Sequence, residues 1–287
     1  MEHGKYVSKI AYITVVTAVI ALSLSAATYA WFSSNSVVQT NFVSGRTDKD
    51  TVELQISSAG GSSFKGEEKA PVTQVNSYSA TELLPVSTAD LSNFVYSAGT
   101  VQDAAVHFEK VEKERYYYHG RVYLQAVAEN HTQNSKLALY LDTAADNGGE
   151  MFQNMKGYMA NAARLGLTFD GGQAKILRVS EDHNPTQNRV MNTVLNGTQL
   201  KDGQVIDSAG STLKATADPS EAIADYTVGA EGLVDSSQKE LFTMELNQIY
   251  TVDIYFSMEG CDPDCSEITQ LDELDMHLAF YGVLIEG

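Results

Sequence analysis

The chain has 287 residues, 19 of them basic and 37 acidic, for a formal charge of −18. So acidic a surface repels nucleic acid and anionic membrane and keeps a protein soluble. Two cysteines, five prolines and 15 tyrosines, with abundant Gly, Ser, Thr and Asn, are the usage of an extracellular β protein.

The first predicted element is a leader, residues 1–30. Lys5 and Lys9 make a basic start, and Ile10 to Tyr29 is uncharged and mostly Ala, Val, Ile, Leu, Ser and Thr. That layout is a secretory signal peptide. Thr28 and Ala30 take the −3 and −1 positions of a cut after Ala30, and no Cys near it would suit a lipoprotein leader. The apolar run is also close to the roughly 20 residues that span a bilayer, so an uncleaved anchor is the competing reading. Cleavage takes two lysines and one glutamate from the formal −18, making it −19, and leaves about 257 residues.

Residues 31–45 read as an extended polar arm that opens on Trp31 and Phe32. Residues 46–287 read as a β domain. In "TVELQIS", Val52, Leu54 and Ile56 alternate with Glu53 and Gln55, the mark of a half-buried strand. "RYYYHGR", Arg115 to Arg121, is an aromatic cluster at the start of a strand, with contact to glycan or another subunit as the rival reading. "GRVYLQAVAE" places Val122, Leu124, Ala126 and Ala128 on one face, and "KLALYLD" does so with Leu137, Leu139 and Leu141. Met151, Met155, Met159 and Ala162, with Leu165 following, recur at helical spacing and predict one helix packed on a core. "GLTFDGGQAKILRV" predicts a hairpin turning at Asp170-Gly171-Gly172. Residues 181–240, rich in Asn, Asp, Gly, Ser and Thr, predict a loop-rich insertion with short strands. "TVDIYFSM" puts Val252, Ile254, Phe256 and Met258 inward and Thr251, Asp253, Tyr255 and Ser257 outward; "LDMHLAFYGVL" repeats this with Leu274, Met276, Leu278 and Phe280. One solvated face per sheet is expected, and with it a mainly β sandwich with one helix and long loops.

Candidate chemistry is sparse. Cys261 and Cys265 in "EGCDPDCSE" are expected to form a disulfide that staples the loop before the last strand. The rival is a metal site with Asp262 and Asp264, but two Cys without a neighbouring His fall short of a tetrahedral zinc set. "DTAADNGGE" (Asp142, Asp146, Asn147, Glu150) and "DPDCSE" offer oxygens without the spacing of a twelve-residue calcium loop, and read as solvated acidic loops. His107, His119, His131, His183 and His277 form no H-E-x-x-H, and no nucleophile elbow, phosphate loop or dinucleotide fingerprint is present. His277 reads as a surface residue. No enzymatic activity, catalytic residue, cofactor or metal is expected.

The stretch "TYAWFSSNSVVQTNFVSG" resembles the N-terminal region of the TasA/camelysin group of secreted bacterial proteins. There, a signal with a small-aromatic-Ala end precedes an aromatic residue, a short polar arm and a Phe-x-Ser-Gly-like step into the first strand; here the step is Phe42-Val43-Ser44-Gly45. The resemblance implies a jelly-roll-like antiparallel sandwich, processing by a SipW-type signal peptidase, and secretion to a cell surface or extracellular matrix. It also implies assembly into fibres of identical subunits. The arm would act as a donor strand, with Trp31, Phe32, Val37, Val38 and Phe42 as its apolar positions. The partners implied are a second copy of the chain and the signal peptidase, with no nucleic acid, and with membrane contact only through the uncleaved leader. A competing expectation is a membrane-anchored surface module that binds glycan or a host ligand. A third is a camelysin-like metalloprotease, for which no zinc motif is found.

Overall fold

The computed structural model describes residues 38–47, 52–59, 64, 69–75, 83–97, 106–111, 116–128, 135–142, 151–153, 158–180, 189–191, 199–201, 204–206, 215–228, 234–262, 265 and 274–285. The leader with Ala30, the arm positions Trp31, Phe32 and Val37, and Asp146, Asn147, Glu150 and Asp264 lie outside the described residues.

The chain opens with β1 (Val38–Thr47) and β2 (Val52–Ser57), followed by the two-residue β3 (Lys69–Ala70), β4 (Thr73–Gln74) and β5 (Val86–Ser87). Next come β6 (Val95–Ser97), β7 (Val106–Lys110), and the long β8 (Tyr118–Ala128) and β9 (Lys136–Asp142). A short β10 (Phe152–Gln153) and the helix α1 (Tyr158–Ala162) lead into the hairpin of β11 (Ala163–Phe169) and β12 (Lys175–Arg178). The region after it supplies β13 (Arg189–Met191), β14 (Gln199–Lys201), β15 (Gln204–Ile206), β16 (Ala215–Ala217), β17 (Glu221–Ala222), a 3₁₀ turn over Ile223–Tyr226 and β18 (Thr227–Val228). The chain returns through β19 (Phe242–Glu245), β20 (Ile249–Met258) and β21 (Leu274–Ile285).

Two seven-stranded sheets face each other. The first runs β18-β9-β21-β1-β3, with β19 also on β9 and β10 on β21; the second runs β17-β12-β11-β20-β8-β2, with β4 also on β8. The expected alternation fills the space between them. Val52, Leu54 and Ile56, Val122, Leu124 and Ala126, and Leu137, Leu139 and Leu141 share one apolar core with Leu165, Leu167, Val252, Ile254, Phe256, Met258, Met276, Leu278 and Phe280. The mainly β sandwich expected from the sequence is the observed architecture.

The outer faces depart from expectation. A third layer, the five-stranded sheet β15-β14-β7-β6-β5, comes with the strap 83–97. Val86, Leu91, Phe94, Val111 and Tyr117 pack against Ile176 and Tyr255 on the outer face of the second sheet. Asp253 and Ser257 are therefore buried rather than solvated. On the first sheet, Ala138, Tyr140, Tyr281 and Val228 form a further apolar cluster with Val234 and Val283 packed against it. Tyr226, Val228 and Leu241 are buried too, so the far end of the predicted 181–240 insertion belongs to the packed body.

The helix is also shorter than its methionine stripe predicts. Met151 is a bend residue, Phe152 begins β10, α1 covers five residues, and Leu165 lies in β11. From Ala163 the period changes to two: Ala163, Leu165, Leu167 and Phe169 face the core. Seven residues of pairing to β20 outweigh the stripe. The predicted hairpin turn is where expected. Asp170 and Gly171 both have positive φ, 50° and 66°, as a tight hairpin requires, and Gly172 N donates to Phe169 O at 2.9 Å.

Candidate functional site

Two places combine unusual placement with chemistry. The first is the strand that continues the predicted arm. β1 pairs in parallel with β21, from Val38 opposite Leu274 to Thr47 opposite Gly282. The arm expected to stand apart over 31–45 is thus, from Val38 on, part of its own sheet. Val38 and Phe42 sit on this strand, Val38 before an irregularity and Phe42 within it. The register shifts between Thr40 and Val43, leaving Thr40 opposite Met276 and Val43 opposite Leu278. Two residues, Asn41 and Phe42, stand opposite the single position His277, one more than the partner strand has, the geometry of a bulge. Among the described residues only β3 pairs with the far edge of β1, at Val43 and Ser44.

The second place is a buried polar junction at one end of the second sheet. Period two in β11 turns Arg164, Gly166 and Thr168 to the outer face. Arg164 is 3% exposed. Its Nη2 donates to Asp218 Oδ2 at 2.9 Å and to Asp262 Oδ2 at 2.8 Å, and its Nη1 donates to Asn161 O at 2.7 Å. Its Nε has no hydrogen-bond partner among the described residues. Asp218 Oδ1 accepts from Ser220 N at 2.8 Å. The turn after β20 brings in the rest. Glu259 is buried beside Arg164, hydrogen-bonded to the Ser87 hydroxyl, and its Oε1 accepts from Cys261 N at 3.0 Å. Asp262 N donates to Glu259 O at 3.1 Å and Cys265 N to Asp262 O at 2.9 Å. These two successive turns carry Cys261 and Cys265.

Charge decides what this junction does. Burial pushes Glu259 up to about 8, with Ser87 and Arg164 only partly offsetting it. It is therefore a neutral acid over most of the physiological range. Burial also acts to raise Asp218, but Arg164 and the Ser220 amide outweigh it and hold the carboxyl below its ordinary value. Burial, then the neighbouring Glu259, pushes both thiols up, which makes them weak nucleophiles in this state. Both cysteines are free thiols here, Cys265 buried and Cys261 partly so; the disulfide expected from the sequence is open in this structure. Asp262, expected on a solvated acidic loop, is instead buried because Arg164 neutralises it.

His119, from the aromatic cluster, is a third buried polar group. Its ring stacks on Tyr255 at 4.2 Å between centroids, and its Nε2 lies 3.0 Å from Asp253 Oδ1. Arg121 clamps the same carboxylate through Nε at 2.7 Å and Nη2 at 3.1 Å. Burial would raise Asp253, but the hydrogen bonds from His119 and Arg121 win and lower it. With both carboxylate oxygens engaged, this trio fastens β8 to β20. Tyr117 and Tyr118 are buried, in the two clusters on either face of the second sheet.

Among the described residues no group of three or more His, Cys, Asp or Glu side chains is placed to hold a metal ion. Among the same residues no helix is long and apolar enough to cross a membrane. Sequence reasoning singled out the cysteines and Asp262 but missed Arg164, Asp218, Glu259 and Ser87. The usable signal was Arg164 itself, the only charge between Gly157 and Phe169. Comparison with family models, with curated proteins and with solved structures returned no match.

Proposed function

We propose that the chain is a secreted structural subunit of an extracellular fibre, built head to tail by strand donation from the N-terminal arm. The observation that carries this reading is the divided strand β1. Upstream of its bulge, among the described residues, only Val38, Gln39 and Thr40 hold the arm to β21; downstream, five residues pair with β21 and two with β3. At about 1 kcal/mol net per backbone hydrogen bond, releasing the upstream segment costs on the order of a few kcal/mol. The downstream segment stays fixed, tied to β2 by Thr47 Oγ1 donating to Val52 O at 2.5 Å. Residues 31–40 are then the donor, and the edge of β21 that they leave is the acceptor for the same segment of a neighbour. Such a head-to-tail contact does not close on itself, so it propagates.

The jelly-roll-like strand order, export through the leader and cleavage after Ala30 belong to the same proposal. A synthetic peptide of residues 31–47 tests it in growing material. As a competitor for the acceptor edge, it should slow or stop elongation measured by sedimentation, whereas a shuffled peptide should not. Unaltered growth at saturating peptide would count against strand donation.

A further inference from the structure

The turn after β20 lies under another part of the chain. The strap 83–97 crosses it at close range: Gly260 N donates to Val86 O at 2.8 Å, Val86 bridges Glu259, and a Cβ on Gly260 would sit 3.3 Å from Pro85. Ser87, fully buried, is hydrogen-bonded both to the Glu259 carboxyl and to the Cys261 thiol. The strap is itself held down by a preformed knob. Leu91, at φ 57°, fills a notch that only Gly166 leaves open; a Cβ there would be 2.5 Å from the Leu91 side chain. Thr88 Oγ1 accepts from Leu91 N at 3.1 Å, and Asp90 Oδ1 accepts from Ser92 N and Asn93 N at 2.9 and 2.8 Å. Phe94 stacks on Tyr117 at 3.7 Å. A short element with its own internal turn, packed through Val86, Leu91 and Phe94 on the outer face and not between the two large sheets, is the kind of unit that opens locally without unfolding the sandwich.

We propose that Cys261 and Cys265 form a redox-modification site with the strap 83–97 as its lid: the dithiol closes to a disulfide while the strap is lifted, and the docked strap seals whichever state it covers. The oxidant is a disulfide, either low-molecular-weight or carried by a thiol–disulfide oxidoreductase. One cysteine thiolate attacks a sulfur of that disulfide, forming a mixed disulfide and releasing one thiolate. The second cysteine thiolate then attacks the mixed bond, forming Cys261–Cys265 and releasing the other. Two electrons pass to the oxidant, and the two protons lost by the cysteines end on its two thiols. The raised thiol values agree with a docked state that does not react. The consequence is an order of events: oxidation precedes docking of the strap, or waits for it to open.

The test uses the reduced chain from Trp31 with maleimide as the probe, oxidised glutathione as the oxidant and intact mass as the readout. Cys265 in the folded protein should label ~100-fold more slowly than in the unfolded chain, as for a group reached only through local opening. Leu91→Ala should raise the labelling and oxidation rates at least ~10-fold while β9 keeps its amide-exchange protection. Phe94→Leu is the second variant should Leu91→Ala disturb β9. Labelling of the folded wild type as fast as the unfolded chain would overturn the proposal. So would an unchanged rate in a variant whose strap amides exchange faster.

Discussion

The space between the two large sheets and the junction around Arg164 are both buried, but on different terms. The first is apolar, filled by Leu139, Phe256, Phe280 and their neighbours, and its stability comes from removing hydrocarbon from water. The second brings together in one buried spot a guanidinium, two aspartates, a glutamic acid and the Cys265 thiol, with Cys261 partly buried beside them. Desolvation of charge works against it, so it stands only while each charge has a partner. The junction is therefore the conditional part of the molecule. The core is indifferent to pH and redox state, whereas the junction ties the strap, the insertion and the turn before β21 together only in a certain protonation state.

The comparison breaks most sharply at Arg164. Arg164→Leu removes the cation between Asp218 and Asp262 and should cost about 3–5 kcal/mol, as for a broken buried ion pair. Urea unfolding measures it, and a loss below ~1 kcal/mol would mean that the junction is wet and screened. In the core, Leu139→Ala should cost about 2–5 kcal/mol through lost contacts and a cavity, but with no dependence on pH. Dependence on pH is what separates the two regions. Glu259 binds its proton more tightly when folded, at about 8 against an ordinary 4.5. Its contribution is therefore fully present below 4.5 and is lost as pH rises to about 8. Asp218 and Asp253 are held low, so their contributions are present above the ordinary carboxyl value and lost as pH falls below it. Stability should thus peak in mildly acid solution, and Glu259→Gln should remove the decline above that peak; an unchanged pH profile would refute this assignment. The smallest effect belongs to neither region. Gly171→Ala, at φ 66° with open space around it, should cost about 1 kcal/mol from backbone strain alone, a baseline for surface change measured by the same unfolding curves.

How much of this was legible varies with the physics involved. Alternation reports which side of a strand is apolar, and it placed Val52, Leu124, Leu139, Ile254 and Phe280 correctly because the core is purely apolar. It does not report whether a polar face is covered. Asp253 and Ser257 read as solvated, yet Arg121, His119 and the aromatic strap bury them. The strap was not visible because residues 83–117 carry no sustained period. The junction was hidden for another reason: Arg164 meets Asp218 and Asp262 at separations of 54 and 98 residues, and no local pattern encodes such a meeting. The methionine stripe misled in the opposite way, being a true helical spacing in a segment where strand pairing decides. The end of the arm was misjudged because Val38 to Gly45 alternates weakly, while the edge of β21 supplies the pairing that its own side chains do not advertise.

Strand donation by the arm can be read out by comparing the chain starting at Trp31 with one starting at Asn41. The shorter chain lacks the three residues upstream of the bulge but keeps the downstream ladder from Val43 to Thr47. Electron microscopy and circular dichroism on matched samples should show fibres only from the longer chain, with the same β signal from both. Normal fibres from the shorter chain, or loss of its β signal, would contradict the account.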